Sequence, residues 1–493
     1  MRNSNATIIR AIANALARDI LPATEAPGAT QQGKFVLALL GLLLSREPVG
    51  FIEQAQEEDA SLLEAMRALI DARGLAVSPA LDNGIGTARY HPAHAALLRQ
   101  EAELAAATAT LIAAQNAAPD AQIADTLDQL ARSRLRLAEL QLSHGNPVSD
   151  GPENQAPAIP NAAELQAYLR ARLPGYASAS ITGMAPAPFS LGKQITFIDL
   201  AHGDGRADHL VMRQEKPVKI WDAGDSTAIR DEFRVIEVAA SLGLPVPDPL
   251  LLDASGKLGP TFMLMPKVRG AQLGEVFQAF APLSEEIIMQ IAVLMAKLHG
   301  AGLEPFADYL RETGRGAVLD MNVREAMHAR ICEWERSCTN TTQYPNPTKL
   351  WLYNWLKRNI PDSADRPVYV HGDFGIHNLL AQDGQITACL DWEWSHVGNP
   401  VEDIAYLRPH IDAYSNWDRF VQHYSAHGGP TLRLSDEIVT FNACLSNVIF
   451  SGLAGQMAWF VEKGERRDMA SVFGGDWYGY EFERMALKAA LQQ

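Results

Sequence analysis

Residues Val368–Leu407 read VYVHGDFGIHNLLAQDGQITACLDWEWSHVGNPVEDIAYL. His371, Asp373 and Asn378 stand in the pattern H-x-D-x-x-x-x-N. The apolar run Val368–Val370 predicts a short buried strand, and His371–Asn378 predicts a loop. Leu379–Ala381 and Gln385–Leu390 predict two strands joined at Asp383–Gly384, because Asp-Gly between short apolar runs is a strong hairpin signal. The hairpin returns the chain to Asp391, close to Asn378. Phosphoryl transfer from a nucleotide asks for such a set. The protein supplies little covalent chemistry there and mostly positions groups and neutralises charge. One carboxylate serves the acceptor hydroxyl, and an amide with a second carboxylate offers hard oxygen ligands to Mg²⁺. Asp373 is therefore assigned as catalytic base or hydroxyl-orienting group, and Asn378 and Asp391 as Mg²⁺ ligands.

HGDFGIHN, LDWE and GNPVEDIA follow one another in this stretch. In that order and spacing they resemble the aminoglycoside phosphotransferase and choline-kinase-like superfamily, relatives of the protein kinases. The resemblance implies an α+β, protein-kinase-like bilobal fold. It also implies that His371 and Asp403 brace the catalytic loop, Asp403 as a buried structural carboxylate. His209–Arg213 (HLVMR) predicts the strand that carries the phosphate-gripping cation in this fold. Here the residue is Arg213, and VMRQEKP is similar to the V-L-R-x-x-P of kinases associated with acyl-CoA dehydrogenases. Arginine holds phosphate bidentately. The resemblance pairs it with Glu232 on a helix over Thr227–Ser241. It places a phosphate-covering loop at Ala185–Lys193, where Ser190, Leu191 and Gly192 offer backbone N–H groups. It places the purine near Met265–Lys267, with Met265 among the nucleotide-binding residues.

The rest of the chain sets limits. Its 493 residues exceed one compact core. The formal charge of −16 argues against nucleic acid or an anionic membrane as the main partner. Cys332, Cys338, Cys389 and Cys444 lack metal-ligand spacing and read as free thiols in a reducing compartment. Residues 1–21 read as an amphipathic helix rather than a signal peptide, and Phe35–Leu44 is too short to span a bilayer. A cytoplasmic protein with no membrane partner is expected.

Residues 1–143 predict an all-α helical bundle domain that precedes the kinase-like lobes. Ser61 and Glu64 have capping-box spacing ahead of an apolar run that stops at Gly74. Helices are also predicted over His94–Ala114 and from Ile123 to Leu140, with a loop at Asp82–Gly86. His91, His94 and Glu101 read as a solvated helix start. Residues 144–160, with four prolines, read as a linker. A helix begins at Asn161, so the N-lobe is expected over 161–268, with strands at Ile181–Met184, Gln194–Leu200, Val246–Leu252 and Thr261–Met265. The C-lobe is expected over 269–493. It begins with the helix Glu285–His299, whose His299 reads as a C-terminal cap, and continues with two helices in 323–357 and others at Trp417–His427 and Asp436–Gly464.

The expected reaction moves the γ-phosphate of ATP or GTP to a hydroxyl of a small molecule, with Mg²⁺ as cofactor. Three acceptor classes compete: aminoglycosides, choline or ethanolamine, and hydroxyacyl-CoA. The resemblance at Arg213 and the added helical domain favour the acyl-CoA class. A nucleotide-binding pseudokinase is the non-enzymatic alternative. It predicts a missing base or metal ligand, and Asp373, Asn378 and Asp391 are all present. The oligomeric state is left open.

Overall fold

Along Lys193–Ala201, every second side chain turns to one face. Gln194, Thr196, Ile198 and Leu200 are buried there, as a period of two dictates for a strand. In the computed structural model this strand is second in a five-stranded antiparallel sheet. The model describes residues 49–77, 92–142, 160–187, 192–216, 228–276, 278–339, 346–462 and 474–492. The strands are β1 (Ser180–Pro186), β2 (Lys193–Ala201), β3 (Ala207–Glu215), β4 (Leu251–Asp253) and β5 (Phe262–Pro266), in spatial order β1-β2-β3-β5-β4. One face, with Ile198, Leu200, Leu210, Met212, Phe262 and Leu264, packs on Leu165 and Leu169 of the helix Ala162–Arg172. Asn161 caps that helix through its side chain, which accepts from the Ala163 N–H at 2.8 Å. The other face meets the helix Ile229–Ser241 through Met263, Met265, Val235 and Ile236. The expected strand over Val246–Leu252 shrinks to Leu251–Asp253. Pro245, Pro247 and Pro249 lack the N–H groups that a strand ladder uses.

The helix Glu285–Gly300 lays Ile288, Ile291, Ala292, Met295 and Leu298 into a second core. The segment Val368–Leu407 folds around it. After the short β6 (Ala271–Gln272) come β7 (Val368–Val370), β8 (Leu379–Gln382), β9 (Gln385–Cys389) and β10 (His396–Gly398). β8 and β9 form the expected hairpin, with Asp383 and Gly384 both at positive φ (50° and 75°), as the favoured two-residue hairpin turn requires. β7 pairs with β10.

The chain divides into two compact units. One takes Met1–Asn154, Arg330–Ile360 and Ala443–Gln493, and the other takes Gln155–Ala329 and Pro361–Asn442. This differs from an uninterrupted C-lobe over 269–493. The helix Pro347–Arg358 packs on Pro92–Ala117, and Gly479–Leu491 packs on Ala121–Leu142. Their apolar faces (Trp351, Leu352 and Leu356; Phe482, Ala486 and Leu487) are buried, and local sequence does not say which core such a face joins. The expected helix start at Ser61 is also overridden. One helix runs Val49–Ala72 straight through it, since neither glycine nor proline stands between Phe51 and Ala72, and Gly74 (φ 59°) lies just beyond its end. Among the described residues, one helix window, Asp436–Phe460, is long and apolar enough to cross a membrane, and 61% of it is buried in the fold, as in a core helix. The expected elements at 1–21, Phe35–Leu44, Asp82–Gly86 and most of the linker lie outside the described residues, as do Ser190 and Leu191.

Candidate active site

The loop after β7 is fastened from below. Asp403 is 1% exposed and opens the helix Val401–Tyr414. Its carboxylate accepts from the backbone N–H groups of His371 and Gly372, both at 2.9 Å, and lies 3.0 Å from His299 Nε2. His299 Nδ1 lies 2.9 Å from the Tyr424 hydroxyl. His299 is thus no helix cap but one link in a buried Tyr424–His299–Asp403 chain. Burial raises the Asp403 carboxyl, but His299, His371 and the backbone donors outweigh it and hold it below the usual carboxylate range. Gly372 has φ 80°, and a Cβ there would fall 2.1 Å from the Trp394 carbonyl oxygen. Only glycine fits this turn. His371 accepts from the Asp373 N–H at Nδ1 (3.3 Å) and meets the Leu390 carbonyl at Nε2 (3.0 Å). Those partners require the Nε2–H tautomer. Burial, the leading cause, pushes its pKa down and favours that neutral ring.

Asp373 is 7% exposed. Its Oδ2 meets His377 Nε2 at 3.2 Å and accepts from Asn378 Nδ2 at 3.0 Å. Asn378 Nδ2 also donates to the Asp373 carbonyl at 3.0 Å. With its nitrogen held there, the amide oxygen is the free end. Asp373 Oδ1 meets no hydrogen-bond partner among the described residues. Burial raises the Asp373 carboxyl, but the His377 charge and hydrogen bond outweigh it, with His371 and Tyr406 acting in the same direction, and the carboxyl sits below its ordinary value. It is an anion at neutral pH.

The Leu390 N–H donates to the Asn378 carbonyl at 2.8 Å and sets Asp391 beside the loop. Asp391 adopts the left-handed conformation (φ 65°, ψ 59°), a state that is uncommon for a non-glycine residue and concentrates at functional sites. Arg213, from β3, reaches this point. Its Nε donates to Glu232 at 2.9 Å, and its Nη2 pairs with Asp391 and lies 3.5 Å from Glu393. Burial works against the Arg213 charge, but Asp391, Glu232 and Glu393 outweigh it and hold the proton more firmly than in water. Three participants were not anticipated: Lys193, Glu215 and Glu393. Lys193, 4% exposed, pairs with Glu215 at 3.0 Å and with Glu393 at 3.7 Å. Register explains the first pair, since Lys193 lies opposite Glu215 on β3. Glu393 is pushed up to about 8, first by burial and then by Asp391.

Two cations, Arg213 and Lys193, therefore meet four carboxylates: Glu215, Glu232, Asp391 and Glu393. Among the described residues no group of three or more His, Cys, Asp or Glu side chains could hold a metal by itself. Mg²⁺ takes one or two carboxylates plus substrate phosphates rather than an all-protein cage. Asp391 and the Asn378 amide oxygen fit it. Met265 is 6% exposed and packs in the core with Val235, Ile236 and Met263, and the Lys267 N–H donates to the His209 carbonyl at 2.8 Å.

Residues 211–437 match the phosphotransferase enzyme family. The chain is similar to acyl-CoA dehydrogenase family member 11 of Pongo abelii, at 25% identity over 284 residues, 56% of this chain and 34% of that protein. The Rattus norvegicus protein of the same name is 27% identical over 252 residues, 49% of this chain and 30% of that one. The chain thus spans about a third of the length of these relatives. Among solved structures, the macrolide 2′-phosphotransferase MphH of Brachybacterium faecium is 16% identical with a TM-score of 0.39, covering 67% of this chain and 97% of that one.

Proposed function

We propose that the chain, whose residues 211–437 match the phosphotransferase enzyme family, transfers the γ-phosphoryl group of ATP or GTP to a hydroxyl of a small molecule. The observation that carries this reading is the convergence of Arg213, Glu232 and Asp391 beside the loop that holds Asp373 and Asn378. Arg213 grips the phosphates. Glu232 fixes its guanidinium, so the charge stays aimed when Asp391 turns to a metal ion. Asp391 and the Asn378 amide oxygen would hold Mg²⁺. The ion supplies neutralisation of phosphate charge when bound. Asp373 meets the acceptor hydroxyl and takes its proton, while Asp403, His299 and Tyr424 keep the loop from shifting under it.

For the acceptor we propose a hydroxyacyl-CoA. The strand sequence VMRQEKP supports this, as does the similarity to proteins named for acyl-CoA dehydrogenase. The test is a product assay by mass spectrometry. Purified full chain with Mg-ATP, and then Mg-GTP, is offered 4-hydroxypentanoyl-CoA, kanamycin and choline, with Asp373→Asn as control. A phosphorylated CoA ester that vanishes in the control is the expected result. Phosphorylated kanamycin or choline would replace the acceptor assignment, and nucleotide binding with no product from any acceptor would overturn the kinase reading.

A further inference from the structure

His377 lies inside the catalytic loop, yet nothing in phosphoryl transfer as described above requires a histidine there. Its ring is half-buried, with 14% of the side chain exposed. Nε2 sits 3.2 Å from Asp373 Oδ2, and Nδ1 is buried with no hydrogen-bond partner among the described residues. A buried ring nitrogen without a partner is a cost that folded proteins rarely carry without reason. The ring is placed by shape. A Cβ on Gly375 would fall 2.4 Å from its Cε1 and Nδ1 and 3.1 Å from Tyr406 Cε1, so glycine leaves the space that the ring fills. Tyr406 closes the other side, edge-on at 6.4 Å between ring centroids.

We propose that His377 is a positioning residue for Asp373 that fixes the orientation of its carboxylate. The inference rests on the kinase reading. The Nε2–H of His377 and the Nδ2–H of Asn378 meet at Oδ2, and together they stop the carboxylate from turning about its Cβ–Cγ bond. In the transfer, the acceptor oxygen forms its bond to the γ-phosphorus. The bond from that phosphorus to the β–γ bridging oxygen breaks, and its electron pair leaves on the nucleoside diphosphate. The hydroxyl proton passes to the Asp373 carboxylate. Without His377 the carboxylate turns more freely about its Cβ–Cγ bond and is no longer held toward the hydroxyl.

The experiment compares wild type with His377→Ala, His377→Gln and His377→Asn in the full chain. It reads kcat with whichever of 4-hydroxypentanoyl-CoA, kanamycin and choline the wild type phosphorylates, and in parallel the Kd for Mg-ATP. A glutamine amide can stand where Nε2 was, and an asparagine amide where Nδ1 was. His377→Ala is expected to lower kcat by about 10²-fold, the scale of a misplaced reacting group, while the Mg-ATP Kd stays within about twofold. His377→Gln recovers most of the loss and His377→Asn does not. Unchanged kcat in His377→Ala, or equal impairment in the glutamine and asparagine variants, overturns the inference while the kinase reading stands. The Gln–Asn contrast still decides the matter if the alanine variant does not fold. Absence of transfer by the wild type to all three acceptors overturns the kinase reading and this inference with it.

Discussion

The Asp403 carboxylate takes two backbone N–H groups and an imidazole with almost no water around it. A carboxyl whose folded pKa is lowered contributes stability that is fully present above its unfolded value, about 3.9, and is lost as the pH falls through the folded value. Denaturant midpoints measured from pH 7 down to about 3 should therefore drop at the acid end in the wild type. Asp403→Asn should flatten that drop and cost about 3–5 kcal/mol near neutral pH, the range for breaking a buried charged pair. An acid profile identical in the variant would remove Asp403 from the account of loop stability. Arg213 gives the second prediction at this scale. Its guanidinium serves Glu232 through Nε and Asp391 through Nη2 at once, which an ammonium on a flexible stem cannot do. Arg213→Lys should weaken Mg-ATP binding by about tenfold or more, since one charge-assisted hydrogen bond is worth about 1.5–3 kcal/mol. A titration indistinguishable from wild type would show that a point charge suffices. The Asp373–Asn378–Asp391 set was legible because all three residues lie in one punctuated stretch, where a turn signal fixes the return of the chain. His299 was not, because its partner Asp403 lies 104 positions away and a histidine before a glycine looks the same whether it caps a helix or braces a loop.

Between helices, polar burial matters as much as apolar burial. In the helical unit Arg134, on Ala121–Leu142, lies 2.8 Å from the fully buried Asp59 on Val49–Ala72 and 3.3 Å from Glu101 on Pro92–Ala117. One cation thus ties three helices. Glu101, expected as part of a solvated helix start, instead has its carboxyl pushed up to about 7, chiefly by burial and against the pull of Arg134. A carboxyl whose folded pKa is raised holds its proton more tightly folded than unfolded. Stability of this unit should therefore fall as the pH rises from about 4.5 to 7 and level off above. Glu101→Gln should flatten that window. Arg134→Leu should cost about 3–5 kcal/mol, because it leaves Asp59 charged and alone in the core, and Asp59→Asn in the same chain should return part of it. Thermal melts of the three variants between pH 4.5 and 8 check all of this, and no pH difference between wild type and Glu101→Gln would refute the assignment. Sequence could not show the triad, since its members come from three helices and share no local pattern. The overridden start at Ser61 has the opposite cause, a local capping signal with no break in the helix to act on.

At the scale of the whole molecule, the division of the chain decides what can be cut. A boundary drawn after the proline-rich stretch 144–160 looks like a place to release a kinase domain. Yet Arg330–Ile360 and Ala443–Gln493 belong to the same compact unit as the N-terminal helices. Asn116 Nδ2 donates to Asn354 at 3.0 Å, and Lys488 pairs with Glu139 at 2.9 Å. Trp351, Leu352, Tyr353 and Leu356 on one later helix, and Phe482 and Leu487 on another, are buried in that unit. Returning each large apolar side chain to water costs about 1.5–3 kcal/mol, and net stabilities are only about 5–15 kcal/mol. A chain begun at Gln155 should therefore lose the packing of these two helices. It should bind a hydrophobic dye, melt without a single cooperative transition and recover poorly from the soluble fraction, while the full chain does none of these. A soluble 155–493 fragment with a sharp melt and no dye binding would show that the later helices need no N-terminal partner. The helical unit would then be an appendage that evolution could add or remove. The packing argues instead that it is interleaved with the catalytic chain and has to fold with it.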